Sequence, residues 1–138
     1  MLDTSIDEGP VSGMRVLAVD DDEFIRTLLT EILRVAGNVD VAVAGGGEEA
    51  LEILRSSERP FDAMIFDIQM PGMDGIALCR AVREMAGYAK TPIYMLSAMT
   101  EKEYVERASS AGASGYLTKP FDPMELIARV CASDHEKT

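Results

Sequence analysis

Residues 63–75 read AMIFDIQMPGMDG. The first five, AMIFD, form a short apolar run suited to a strand buried on both faces, yet the run ends on a bare carboxylate, Asp67. Four residues later Pro71 and Gly72 break the chain. A strand that carries one acid to its end and then turns away asks what else the chain sends to the same place. Four other runs have the same character: MRVLAV (14–19), VDVAVA (39–44), PIYMLS (92–97) and SGYLT (114–118). Amphipathic patterns between and after them predict helices over about 22–36, 47–57, 74–86, 100–111 and 122–133. In the first helix Phe24, Ile25, Leu28, Leu29, Ile32, Leu33 and Val35 make a stripe of 3.6-residue period that closes at Gly37. The last opens with DPMEL, where Asp122 suits the N-cap, Pro123 the first helical position and Glu125 the third, a capping-box pattern.

Five strand–helix units in series imply an α/β fold of three layers, a doubly wound parallel sheet with helices on both faces. In such sheets ligands sit beyond the carboxyl ends of the strands, where the strand order reverses. Strand 1 brings Asp20, Asp21 and Asp22 to that end, and strand 3 brings Asp67. Strand 4 brings Ser97, and strand 5 brings Thr118 and Lys119. In the order 2-1-3-4-5 the reversal falls between strands 1 and 3, so both sets of acids meet there.

Chain totals bound what this site can serve. At 138 residues the chain makes about one domain, expected over residues 13–133. Short tails are expected at 1–12, which hold three acids without a basic residue or apolar block, and at 134–138. No run reaches the ~18–20 apolar residues of a membrane span, so a cytoplasmic protein with no membrane partner is expected. Cys79 and Cys131 both lie in helical patterns and read as reduced, buried thiols. The nine methionines read as core filler, and His135 as a solvated tail residue. A net charge of −11 argues against nucleic acid, which is bound through Lys and Arg against phosphate.

Carboxylates crowded at one point repel by about 4 kcal/mol per pair at 4 Å and an effective dielectric near 20. Something must neutralise them. A few hard oxygen ligands with water completing the shell suit Mg²⁺, and Lys119 adds a positive charge while Ser97 adds a hydroxyl. A metal, a lysine and a hydroxyl around one carboxylate make a receptor for a transferred phosphoryl group. Taken singly, each feature has a plainer reading: DDDE as a helix N-cap with dipole-favoured acids, Ser97 as a strand-end hydroxyl, Lys119 as a solvated loop lysine. Their convergence favours the site.

Four segments in order, VLAVDDDE with Arg26 beyond it, FDIQMPGMDG, LSA and GYLTKPF, resemble the receiver domain of two-component response regulators over about residues 13–132. The resemblance implies a flavodoxin-like, five-stranded sheet of order 2-1-3-4-5 with five helices. It implies that Asp67 is the phosphorylated aspartate and that Asp21 is a direct Mg²⁺ ligand, with Asp20 acting largely through water. It makes the main-chain carbonyl of Gln69 a further ligand. Lys119, across a cis bond to Pro120, would pair with the phosphoryl group. Ser97 would swing toward a phosphoryl oxygen and Tyr116 would rotate into the vacated space, biasing the face made by helix 4, strand 5 and helix 5. Ser97 stands where threonine is often found, and Gln69 and Met99 occupy positions that govern access of water to the acyl phosphate.

Two other readings compete. GGGEEA (45–50) fits G-x-G-x-x-A between a strand and a helix, with Asp67 downstream for a ribose. It follows the second strand rather than the first, and it leaves Asp20, Asp21, Ser97 and Lys119 unexplained. A haloacid-dehalogenase-like phosphatase would use Asp20 as nucleophile with Asp22 in D-x-D, but EF replaces the expected Gly-Thr and Asp67 has no task. The reading favoured is a stand-alone phosphoacceptor that is not a turnover enzyme. Its expected partners are a sensor histidine kinase or histidine phosphotransfer protein and a downstream protein target, with no nucleic acid. Leu126, Ile127 and Val130 of the last helix read either as core or as support for a phosphorylation-linked homodimer.

Overall fold

Five parallel strands and five helices alternate through the computed structural model of the chain, which describes residues 13–136, with side chains up to residue 132. The two expected tails and His135 therefore fall wholly or largely outside what is described. The strands are β1 (Met14–Val19), β2 (Val39–Ala44), β3 (Ala63–Asp67), β4 (Ile93–Ser97) and β5 (Gly115–Thr118). The helices are α1 (Glu23–Ala36), α2 (Gly47–Ser56), α3 (Gly75–Arg83), α4 (Lys102–Ser110) and α5 (Pro123–Glu136). The sheet runs β2-β1-β3-β4-β5 with every pair parallel, the expected doubly wound order.

Strand position decides composition. All five residues of β3 and of β4 are buried, because helices cover both faces of the central strands. The outer strands β2 and β5 each keep exposed or half-buried residues. Alternation along the strands then divides the core in two. Val16, Ala18, Ala63, Ile65, Tyr94 and Leu96 face α1 and α5, meeting Leu29, Leu33, Leu126 and Val130. Leu17, Val19, Met64, Phe66, Ile93 and Met95 face the other way, onto Ala50, Leu51, Leu54, Ile76, Leu78, Val82 and Ala108 of α2, α3 and α4.

Several expectations are refined. Leu29 and Leu33 of the α1 stripe are buried, while Phe24 and Val35 at its ends are 69% and 84% exposed. Leu126 and Val130 are core and Ile127 is half-buried, which assigns two of the three apolar residues of α5 to packing. Cys79 is buried, but Cys131 is only half-buried at the rim of the α1–α5 side. Three helices begin one residue late because an aspartate caps each. Asp22 accepts from Phe24 N at 2.9 Å, and Asp74 accepts from Ala77 N at 2.8 Å. Asp122 accepts from Met124 N at 3.0 Å, whereas Glu125 lies 3.7 Å from Arg129 in an ion pair one turn on. Among the described residues no helix is long and apolar enough to cross a membrane.

The loop after β3 folds back so tightly that Gly75 N bonds Ile68 O at 2.9 Å. A Cβ at Gly75 would fall on the carbonyl of Asp67 and 2.9 Å from Ile68 Cα, and neither backbone atom can yield like a side-chain tip. Gly75 thus lets the start of α3 press against the end of β3 and holds Asp67 in place from below. Gly75→Ala is expected to destabilise the protein by on the order of 2 kcal/mol or more, as steric conflicts at fixed backbone do. Urea unfolding measures it, and an unchanged midpoint would show that the loop yields freely.

Candidate functional site

The carboxyl ends of β1, β3, β4 and β5 line up beside the point where the strand order reverses; Asp20, Asp21, Asp67 and Lys119 come together there, whereas Asp22 caps α1 and Thr118 is exposed. β1 continues into Asp20, whose N–H bonds Ala44 O at 3.1 Å. Its side chain is fully buried: Oδ1 accepts from Asp22 N at 2.9 Å, which turns the chain into α1. β3 ends on Asp67, which is 4% exposed; Ile68 N still bonds Leu96 O at 3.2 Å, so the strand stays paired through its last residue. Asp21 is exposed at the mouth. One carboxylate oxygen from each of Asp20, Asp21 and Asp67 lies within 4.8 Å of the other two.

Lys119 answers these charges from the β5–α5 turn, where its bond to Pro120 is cis. Its Nζ lies 3.0 Å from Asp20 Oδ2 and 3.3 Å from Asp67 Oδ1. Asp20 Oδ2 is buried, and the Lys119 ammonium is what faces its charge. Ser97 is buried at the end of β4, opposite Thr118 of β5, and its carbonyl accepts from Lys119 N at 2.8 Å. That bond ties the lysine's backbone to the serine.

A second strand of contacts runs outward from Ser97. Its Oγ accepts from Met99 N at 3.0 Å, and Met99 O accepts from the Tyr116 hydroxyl at 2.6 Å. Two side chains singled out in the sequence therefore hold the same residue, one at its amide and one at its carbonyl. Gln69 follows Asp67 with its side chain exposed. Arg26 Nη1 bonds Asp20 O at 2.8 Å and lies against Gly45. Its place in the acidic motif was legible in the sequence, but a bond to a main-chain carbonyl has no residue-type signature, and neither has the Met99 bridge. GGGEEA forms the bend into α2, and the Glu49 carboxylate already takes Gly45 N at 2.8 Å.

Electrostatics follow from this geometry. Burial first, then the neighbouring Asp20 charge, raises the Asp67 pKa from 3.8 to about 6, against the pull of Lys119. Burial is also the largest single influence on Lys119 and lowers its pKa, but the combined attraction of Asp20 and Asp67 outweighs it, and the net shift is upward. The lysine therefore stays charged in the pocket. Three converging carboxylates, two of them buried and sharing one ammonium, and a carboxyl that resists ionisation together fit a small divalent cation.

A raised carboxyl pKa means that ionised Asp67 opposes folding above about pH 6, and that this cost disappears below about pH 4. Two pH units correspond to about 3 kcal/mol. Without divalent metal, Asp67→Asn is expected to raise unfolding free energy at pH 7 by on the order of 1–3 kcal/mol. The gain should shrink toward zero as pH falls from 6 to 4. Urea titrations in chelator across that range decide it, and a gain independent of pH would mean that Asp67 is not held against its charge.

Comparison with known proteins agrees with this assembly. The family model for the response regulator receiver domain matches residues 16–131. The DNA-binding response regulator MtrA of Mycolicibacterium paratuberculosis is 44% identical over 118 residues, 86% of this chain and 50% of that protein. The chain thus spans about half the length of such curated relatives. Among solved structures, the chemotaxis protein CheY4 of Vibrio cholerae superposes with a TM-score of 0.81 at 38% identity, covering 87% of this chain and 98% of that one. The BeF3-activated DrrB receiver domain does so with a TM-score of 0.77 at 30% identity, covering 87% and 96%. One expectation is overturned: net charge does not exclude nucleic acid, since relatives such as MtrA are named DNA-binding. The −11 counts only these 138 residues and says nothing about a basic surface elsewhere in a longer regulator. The phosphatase alternative with Asp20 as nucleophile finds no support, because Asp20 is fully buried behind its turn and the match is to receivers. By sequence, fold and the residues gathered at its strand ends, the chain belongs to the response regulator receiver domain family.

Proposed function

We propose that the domain, residues 13–133, accepts a phosphoryl group on Asp67 from a phosphohistidine donor and that this changes the face formed by α4, β5 and α5. The observation that supports the reading best is Lys119, whose ammonium lies between Asp20 and Asp67 in a trio of converging carboxylates. A carboxylate oxygen of Asp67 attacks phosphorus; the new P–O bond forms as the P–N bond to the donor imidazole breaks. The imidazole keeps the bonding electron pair and takes up a proton. With its pKa about 6, Asp67 is mostly ionised at pH 7 and ready to attack.

Asp21 and Asp67, with Asp20 through water and the main-chain carbonyl of Gln69, would hold Mg²⁺. When bound, the ion offsets negative charge developing on the transferred group. Lys119 transfers its ammonium from the free carboxylates to a phosphoryl oxygen. Ser97 gives up the Met99 amide and donates its hydroxyl to another phosphoryl oxygen. Because Tyr116 holds the carbonyl of Met99, movement of that residue is felt directly at β5 and at the start of α4. The domain would promote only its own phosphorylation and hydrolysis, acting in signalling without turnover of a substrate.

Intact-protein mass after incubation with acetyl phosphate tests this, with and without Mg²⁺, for wild type and Asp67→Asn. Wild type alone should gain one phosphoryl group, and only with Mg²⁺. A gain in both proteins would place the nucleophile elsewhere. Binding of the metal is tested separately by unfolding: Mg²⁺ at about ten times its Kd should stabilise wild type by about 1.4 kcal/mol. Asp21→Asn should lose most of that effect at the same Mg²⁺ concentration, and retention of the full effect would remove Asp21 from the ligand set.

A further inference from the structure

Arg83, the last residue of α3, stands apart from the acceptor site and makes four hydrogen bonds to main-chain carbonyls. Nε and Nη2 bond Gly112 O at 3.0 and 2.7 Å, while Nη1 bonds Tyr88 O at 2.9 Å and Thr91 O at 2.6 Å. One half-buried guanidinium thus joins the α3–β4 loop to the turn that follows α4. One turn earlier on the same face of α3, the buried Cys79 thiol bonds Ala111 O at 3.4 Å. Residues spaced i and i+4 on α3 therefore hold two successive carbonyls at the end of α4.

The two ends of α4 differ. Its C-terminal end closes with Gly112 N on Ser109 O and Ala113 N on Ala108 O, both at 3.0 Å, a Schellman closure. Gly112 has φ +106, and a Cβ there would lie 2.9 Å from Arg83 Nε, so both the turn and the arginine require glycine. At the other end Glu101 offers no side-chain cap, and among α4 residues only Ala108, near the C-terminus, is buried. The N-terminal approach, Ala98–Thr100, is joined to the acceptor site through Met99.

Building on the acceptor reading, we propose that Arg83, assisted by Cys79, pins the C-terminal end of α4, so that phosphorylation swings the helix about Gly112 and concentrates displacement in residues 98–104. Arg83 is a positioning residue here. It touches neither the acceptor carboxylate nor its ligands, and acts by denying α4 the freedom to slide as a whole. The carbonyls of Ala111 and Gly112 stay in place while the uncapped end follows Met99.

The test compares amide spectra and amide hydrogen exchange of wild type and Arg83→Gln in Mg²⁺, with and without beryllofluoride as a phosphoryl mimic. In wild type, beryllofluoride should shift the amides of residues 98–104 and leave 111–113 nearly unmoved. In Arg83→Gln, exchange at 111–113 should quicken by about tenfold, and beryllofluoride shifts should spread into those residues. Shifts at 111–113 as large as those at 98–104 in wild type overturn the proposal. So does an Arg83→Gln protein that keeps the wild-type pattern, even with lowered global stability, since its role would then be structural alone. If Arg83→Gln does not fold, Arg83→Lys retains the charge but not the forked donors and is read in the same way. Absence of any shift at Asp67 or Ser97 in wild type would instead fail the acceptor reading and the swing with it, while exchange in the untreated proteins still decides the pin.

Discussion

A single ammonium shared between two buried carboxylates sets the terms for the rest of this domain. Lys119 sits 3.0 Å from Asp20 and 3.3 Å from Asp67, both almost wholly withdrawn from water. Burial, and then the charge of Asp20 beside it, outweigh the pull of the one lysine, and Asp67 responds with a pKa of about 6. The pocket therefore carries unmet demand for positive charge, which suits an added cation and a ligand whose arrival lets the lysine change partners.

Such a pocket requires rigid walls, and the packing supplies them. β3 and β4 are buried along their whole length, and the alternating side chains lock them into two separate cores. Asp67 stays paired through the next residue's bond to Leu96, and the fold-back at Gly75 closes the space beneath it. The looser packing lies elsewhere. α4 buries only Ala108 and begins without a side-chain cap, yet its far end is held by the guanidinium of Arg83. On the proposed reading α4 acts as a lever, and the Ser97–Met99–Tyr116 chain lies at the end opposite the Arg83 contact.

Much of this was legible in the chain itself. All five runs read alike as strands buried on both faces, which holds for AMIFD and IYMLS at the centre of the sheet but not for VDVAVA and SGYLT, whose place at the edges leaves residues exposed or half-buried. Acids, hydroxyl and lysine at consecutive strand ends were enough to predict where they would gather. What stayed hidden involved main-chain partners. Arg26 on the Asp20 carbonyl, Arg83 on three carbonyls and Tyr116 on the Met99 carbonyl carry no residue-type signal, because every residue offers the same acceptor. Charge counting misled for a related reason: a sum over one acidic domain has no bearing on what a longer regulator touches.

The sequence by itself determined the order of elements, the doubly wound class and the residues available to the site, since periodicity of 2 or 3.6 and the chemistry of side chains are local properties. Tertiary structure alone decided which flanks of the α1 stripe stay in water, that Cys131 is only half covered, and how far Asp67 is driven from its usual ionisation. Those depend on the burial and the charges that distant segments bring together, and a carboxylate cannot register Asp20 or Lys119 until the sheet has closed around all three.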